Sequence, residues 1–308
     1  MTMTRTCAYG VAITMAFAVV PTARAQGTQV LFPQPFVIEH GIVAVDPDGG
    51  LFATEPVTDY YGGVWIVSER VDQSRRIVDF SRREITEIVP QRGSYSVLSF
   101  DRFAELQQRL ASAEADPVGE EDRGEKNAPP EAPQLAIEEL APRVGKESFI
   151  NPATRALLER PGVRHVRVTA AGDSPSKSVS SLEAWFDPTL RLSPVALDML
   201  DRFEEQVLGA TAPKDRATPS GLLAAARRHA EGAVVLRTSR PNLASGAGGI
   251  AGTLDDLAVR IERLDAFPQE LLTVPEGYRR VAHPLEMMVA WAEQEAELNA
   301  RMNAHTAQ

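Results

Sequence analysis

Residues 76–100 read RIVDFSRREITEIVPQRGSYSVLSF. Three short runs rich in β-branched and aromatic residues follow one another: Arg76 to Phe80, Glu84 to Val89, and Tyr95 to Phe100. Gln91-Arg92-Gly93-Ser94 supplies turn chemistry before the third run. Short strands separated by turn residues indicate an antiparallel meander. Upstream, Gly62-Gly63 opens the run Val64-Trp65-Ile66-Val67. Before that, Pro35 to Val45 is extended, with Val37, Ile42, Val43 and Val45 at β-branched positions. Asp46-Pro47-Asp48-Gly49-Gly50 is a strong turn signal between them. Downstream, Asp101 can cap a helix in which Phe103, Leu106 and Leu110 recur at helical spacing; it is predicted to end near Ala113.

The second half returns to strands. Val166, Val168 and Ala170 alternate with His165, Arg167 and Thr169, a period of two. Leu182, Ala184 and Phe186 alternate with Ser181, Glu183 and Trp185, and Asp187-Pro188 ends that run. Ser193-Pro194 opens a helix, Ser as N-cap and Pro at the first helical position. Its apolar face is Leu197, Leu200, Phe203, Val207 and Leu208. A second helix is predicted from Ser220 to Ala230, then a strand from Ala233 to Arg237. Residues 241–252 read as a Gly/Ala/Ser hairpin loop. Leu257, Val259 and Ile261 are predicted to form one face of a long strand, with Arg260 and Glu262 opposite. Pro284 to Met302 is predicted as a helix with Leu285, Met288, Val289 and Ala292 as its apolar stripe.

Strands, helix, strands, helices, strands, helix is the order of an α+β protein with a mainly antiparallel sheet. The two halves are separated by residues 114–147. That segment has five prolines and ten acidic against four basic residues. It reads as a flexible acidic insertion, with a short helical piece near Ile137 to Leu140.

The full chain has 308 residues, 44% of them hydrophobic and 24% charged, with a formal charge of −10. That composition excludes wholesale disorder, and the charge argues against nucleic acid as a partner. Residues 1–25 carry Arg5, an uncharged apolar run from Val11 to Val20, and Ala23-Arg24-Ala25 as a small-x-small site. This is the pattern of a secretory signal peptide cleaved after Ala25. The apolar run is about half of the ~20 residues a membrane-spanning helix needs. The expected location is therefore the periplasm or the exterior, with no transmembrane segment after cleavage. Cys7, the single cysteine, lies inside the signal, so disulfides, thiolate metal sites and a cysteine nucleophile are not expected in the mature chain. The domain reading is 1–25 signal, 26–113 first half of a sheet plus helix, 114–147 insertion, 148–281 second half of the same sheet, and 282–308 C-terminal helix and tail.

Three stretches carry a family resemblance. One is Ile77-Val78-Asp79, Ile85-Thr86-Glu87-Ile88 and Tyr95 to Phe100, a strand pair ending in an aromatic strand that feeds a helix. The next is Leu182-Glu183-Ala184-Trp185-Phe186-Asp187-Pro188. The last runs from Ala266 to Tyr278, with Pro268, Leu271, Leu272, Val274, Pro275 and Gly277 closing the fold. In this pattern the chain resembles uncharacterised exported bacterial proteins related to the LolA/LolB-like lipoprotein-carrier superfamily. The resemblance implies a curved, half-open antiparallel sheet, a LolA-like half-barrel, with helices packed on its concave side. Carriers of that superfamily hold acyl chains between sheet and helices; other members are envelope sensors that bind a partner. This chain departs from the carriers in its acidic insertion and in its helix after Tyr278.

Chemistry-bearing motifs are sparse. The histidines at 40, 165, 229, 283 and 305 form no H-E-x-x-H or H-x-H pattern. His165, His229 and His305 read as surface or capping residues. There is no G-x-S-x-G elbow. Gly246 to Gly252 lacks the strand-to-helix context and Lys-Ser/Thr ending of a phosphate loop. No catalytic residue, metal ligand or cofactor is predicted. Aromatic and aliphatic residues on the expected inner face are the candidates for a ligand-lining surface: Trp65, Val67, Val166, Val168, Leu182, Ala184, Phe186, Phe203, Leu257, Val259 and Ile261. The expected function is non-enzymatic binding of a lipid or lipoprotein acyl chain in that cavity. The alternative is an envelope interaction module whose cavity is filled by its own helices, with the insertion and C-terminal helix contacting a partner protein.

Overall fold

The computed structural model describes residues 30–45, 50–114, 134–142, 144, 147, 149–170, 180–208, 218–243 and 251–306. The expected signal peptide (1–25), most of the expected turn at 46–50, residues 115–133 of the acidic segment and residues 244–250 of the expected hairpin loop lie outside the described residues.

Thirteen strands form one large, curved, unclosed sheet among the described residues. The first half contributes β1 (Phe32–Val45), β2 (Leu51–Ala53), β3 (Val57–Gly63), β4 (Trp65–Arg70), β5 (Arg75–Asp79), β6 (Glu84–Val89) and β7 (Ser94–Ser99). The second half contributes β8 (Leu135–Leu140), β9 (Arg164–Ala170), β10 (Ser180–Arg191), β11 (Ala233–Leu243), β12 (Ala251–Arg263) and the short β13 (Arg279–Arg280). The order is β13-β7-β6-β5-β4-β3-β1-β12-β11-β10-β9-β8, with β2 paired to β1. All of these pairings are antiparallel except β13 on β7. The expected meander is present from β4 to β7, and β3, which was not expected, extends it. The long antiparallel pairing of β1 with β12 fuses the two halves.

Five described helices accompany the sheet: α1 (Phe100–Glu114), α2 (Pro152–Leu158), α3 (Pro194–Phe203), α4 (Pro219–His229) and α5 (Pro284–Thr306), with a π turn at Glu204–Leu208 after α3. Three of them start alike. Asn151, Ser193 and Thr218 each accept a hydrogen bond from the backbone N–H three residues on, and each is followed by proline. The cap satisfies an orphan donor, and proline lacks the next one.

One face of the first half carries Val67, Ile77 and Ile88, buried beneath Phe267 and bordered by Leu271, Leu272, Val274 and Tyr278. The closing stretch after β12 thus covers that face. Gly62 is required there, because a Cβ at this position would sit 2.2 Å from the Phe267 ring. On the second half, α4 lays Leu222, Ala226 and Ala230 on Val166, Val168, Leu182, Ala184 and Phe186. The remaining large cluster joins β1, β5, β6, α1, α2, α3 and α5.

Several local expectations are corrected. Residues 137–140 are strand, not helix: β8 pairs with β9, and Glu138 and Glu139 reach Arg167 and Arg164 across the ladder. These partners lie about 25 residues away, beyond any local pattern. Residues 241–243 and 251–252 are paired strand rather than loop. Met288 is exposed, while Leu285 and Val289 of the same helix are buried. His165 is buried and stacked on Trp185 at 3.9 Å, not on the surface.

Candidate functional site

Strand alternation places two neighbouring rungs on one face of the first half. The first is apolar, Phe36–Tyr61–Ile66–Val78–Ile85–Leu98, each residue paired with the next across β1, β3, β4, β5, β6 and β7. The second, two residues along each strand, is polar: Asp59–Ser68–Arg76–Glu87–Ser96. Above these rungs lies a cavity of about 430 Å³. That lies within the ~300–1,000 Å³ of ordinary ligand pockets.

Both halves build its walls. The apolar rung from Phe36 to Ile85 supplies one wall, and Phe103, Leu200, Phe203, Val207 and Leu223 supply the helical side. Phe203 packs on Phe100 at 4.9 Å and edge-on to Phe80 at 5.6 Å, an arrangement that fixes aromatic rings rigidly. Two register breaks complete the lining. Glu39 pairs with Arg260 and His40 with Ala258, leaving Val259 as an extra residue. Trp185 pairs with Arg237 and Phe186 with Val235, leaving Leu236 as another. A bulge re-aims side chains, and Ala258 and Leu236 both line the cavity.

Each charged side chain of the lining has a partner of opposite charge. His40 donates from Nδ1 to Asp256 at 2.8 Å and from Nε2 to Asp59 at 3.1 Å. Burial works against the imidazolium, but the hydrogen bonds to Asp256 and Asp59 outweigh it and raise the pKa to about 10. Arg227 donates from Nη1 to Glu204 at 2.7 Å. Burial lowers the pKa of Arg227, yet Glu204 holds it above its ordinary value. Burial pushes the Tyr61 hydroxyl well above its usual range, so it stays neutral. Arg76, at the rim, donates to Glu87 at 2.7 Å. His283 Nε2 lies 3.4 Å from the Glu87 carboxylate, and this contact, helped by Arg76, outweighs burial and lowers Glu87 to about 2. The His283 ring also accepts from the Leu285 backbone N–H, and the His283 backbone N–H donates to Glu286 at the start of α5.

The residues expected to line a ligand surface are distributed among three environments. Phe203 lines the cavity. Val166, Val168, Leu182, Ala184 and Phe186 are packed beneath α4. Val67 is buried under Phe267, and Trp65 borders the same cluster, donating from Nε1 to Asp79 at 3.1 Å. Ile261 belongs to the large core, and Leu257 is buried opposite Arg237. Val259 is the half-buried bulge residue, so Leu257, Val259 and Ile261 do not share one face. The polar lining was missed. Its signal is present in the strands: Asp59-x-Tyr61, Ile66-x-Ser68, Arg76-x-Val78, Ile85-x-Glu87 and Ser96-x-Leu98 each put one polar and one apolar residue on a single face. Among the described residues, no three His, Cys, Asp or Glu side chains gather as metal ligands. None of the described helices is long and apolar enough to cross a membrane.

No protein-family model and no curated protein matches the chain. Its fold is weakly similar to solved structures. An uncharacterized conserved protein from Thermus thermophilus matches at 8% identity and TM-score 0.34, over 81% of this chain and 91% of that one. PNGF-II matches at 8% identity and TM-score 0.35, over 84% of this chain but 33% of its own. A LolA superfamily protein, NE2245 from Nitrosomonas europaea, matches at 11% identity and TM-score 0.26, over 80% and 93% of the two chains.

Proposed function

We propose that this is an exported, non-enzymatic binding protein that takes a hydrophobic or amphipathic ligand, such as a lipid or lipoprotein acyl chain, between a LolA-like sheet and helices on its concave side. The observation that carries the reading is the pair of rungs beneath one cavity: an apolar row to bury a chain and a polar row to meet a head group. Burial of apolar surface supplies the driving force, at about 25 cal/mol per Å². His40 argues against catalysis at this site, because both ring nitrogens are held by carboxylates and the ring is charged near neutral pH. A base needs a free lone pair.

Purified full-length protein is expected to bind the uncharged dye N-phenyl-1-naphthylamine, and native mass spectrometry of protein from the envelope is expected to show an apolar adduct. Ile66→Trp, which fills the apolar wall, is expected to abolish both. Absence of dye uptake and of adduct in the wild type would refute the reading. Export is tested by N-terminal sequencing of the mature protein, expected to start at Gln26. A second reading, docking of a partner protein, is favoured by the edge strand β8, where Leu135 and Ile137 are exposed. An unpaired strand edge offers backbone hydrogen bonds to another chain. Ile137→Lys is expected to remove such a partner from pull-downs if this reading holds.

A further inference from the structure

Two side chains in the cavity wall hold donors with no protein acceptor among the described residues. Arg227 uses Nη1 on Glu204, but its Nε and Nη2 have no hydrogen-bond partner there. The Tyr61 hydroxyl has none either. Both side chains line the cavity, and none of these unpartnered atoms is fully enclosed by protein. Tyr61 is held in place by stacking on Phe36, with ring centroids 4.5 Å apart and planes within 7°, and by an edge contact from Phe32. A fixed donor with no protein acceptor, inside a ligand-sized space, is a source of specificity.

The charge of the wall decides what kind of acceptor fits. The ionised side chains lining it are His40, Arg76 and Arg227 against Asp59, Glu204 and Asp256, three of each sign. Arg227 lies against Glu204, and His40 lies between Asp59 and Asp256. The partner of Arg76, Glu87, adds a further negative charge just outside. An incoming carboxylate would lose its hydration and find Arg227 already neutralised. An incoming ammonium would face the unused donors of Arg227. A neutral carbonyl loses far less on leaving water and satisfies those donors.

We infer that the cavity selects an uncharged amphiphile, whose ester or amide carbonyl accepts hydrogen bonds from Arg227 and Tyr61 while its chain lies along the apolar rung. This rests on the binding reading above and specifies its ligand class. Arg227 and Tyr61 are the specificity-determining residues.

The test is displacement of N-phenyl-1-naphthylamine from the full chain at pH 8 by monolaurin, laurate and dodecylammonium, each below its micellar concentration. Monolaurin is expected to displace the dye at a concentration about tenfold lower than either ion, the equivalent of one unpaired-group penalty. Tyr61→Phe and Arg227→Lys, which keep the packing and the charge, are expected to reduce that preference several-fold, read as the ratio of the displacing concentrations on each variant. Laurate or dodecylammonium competing as well as monolaurin would overturn the inference, as would two folded variants that keep the wild-type preference. Failure of the dye and of all three amphiphiles to bind would instead overturn the binding reading beneath it.

Discussion

The bridge of His40 between Asp59 and Asp256 makes a stability prediction with a defined pH window. The folded-state pKa is about 10 against 6.5 for the free side chain. A raised pKa means that the folded state holds the proton more tightly than the unfolded chain. The resulting stabilisation is complete below pH 6.5 and is lost as the pH rises towards 10. That gap, at about 1.4 kcal/mol per pH unit, sets a ceiling of about 5 kcal/mol. The real contribution is smaller, because the His40 and Asp256 side chains are 23% and 41% exposed and solvent screens that pair. Asp59 is better enclosed, at 16%. About 2 kcal/mol is a reasonable net figure between the exposed and buried limits.

The perturbation is His40→Asn, which keeps a short polar side chain and removes the titrating proton. Urea unfolding of both proteins at about pH 6, 8 and 10 gives the difference directly, because titrations common to both cancel. The wild type is expected to lead by about 2 kcal/mol at pH 6, with the lead largely gone at pH 10. A lead of constant size across this range would refute the charged bridge. A lead that grows with pH would reverse its sign and rule it out as well.

Three further outcomes follow from other parts of the fold. Glu87, lowered from 4.5 to about 2 by His283 and Arg76, contributes stability that is present above pH 4.5 and lost as the pH falls towards 2. Glu87→Gln is expected to cost about 1–2 kcal/mol at pH 7 and almost nothing at pH 2, measured by unfolding at both. Phe186→Ala, at a fully buried position under α4, is expected to cost about 3–5 kcal/mol; ligand affinity of the folded fraction should be unchanged, because Phe186 does not line the cavity. Gly62→Ala drives a Cβ into the Phe267 ring and is expected to cost about 1–3 kcal/mol, with altered fluorescence of Trp65, whose ring centroid lies 6.0 Å from that of Phe267.

β4 to β7 were legible because each is short, β-branched and bounded by turn residues, so local chemistry decides them; β2 and β3, at 51–53 and 57–63, went unread. Ser193-Pro194 predicted its helix start for the same reason: the cap acts within three residues. Residues 137–140 were misread because Glu138-Glu139 is helix-compatible in isolation; the arginines of β9 that hold them lie elsewhere in the chain. Alternation placed Val166, Val168, Leu182, Ala184 and Phe186 on one face, and they do share one. What periodicity could not tell is whether a helix would fill that face, and α4 does. Nothing local marks Asp59, His40 and Asp256 as a group, and only the pairing of β1 with both β3 and β12 assembles them. The bulge at Val259 breaks the period on which a face assignment for β12 depends.

The cavity persists because each wall is anchored to something other than the space it encloses. α4 is held by its own core with β9 and β10. α1 is held from outside by α5, through Leu285 and Val289 in the core and a two-pronged bond from Arg109 to Glu293 at 3.0 Å. The sheet wall is fixed by continuous cross-strand pairing from β1 to β7. Collapse would require one of these to unpack, at about 2–5 kcal/mol for each large side chain lost from its site. Leaving the space open costs less, because its polar rim and the unused donors of Arg227 and Tyr61 let water occupy it. A ligand then displaces water from an existing volume and needs little reorganisation of the protein. The two bulges contribute to the same end: by turning Ala258 and Leu236 inward, they put small and aliphatic surface where regular pairing would have put other side chains. The register defects are therefore part of how this sheet makes room for a ligand.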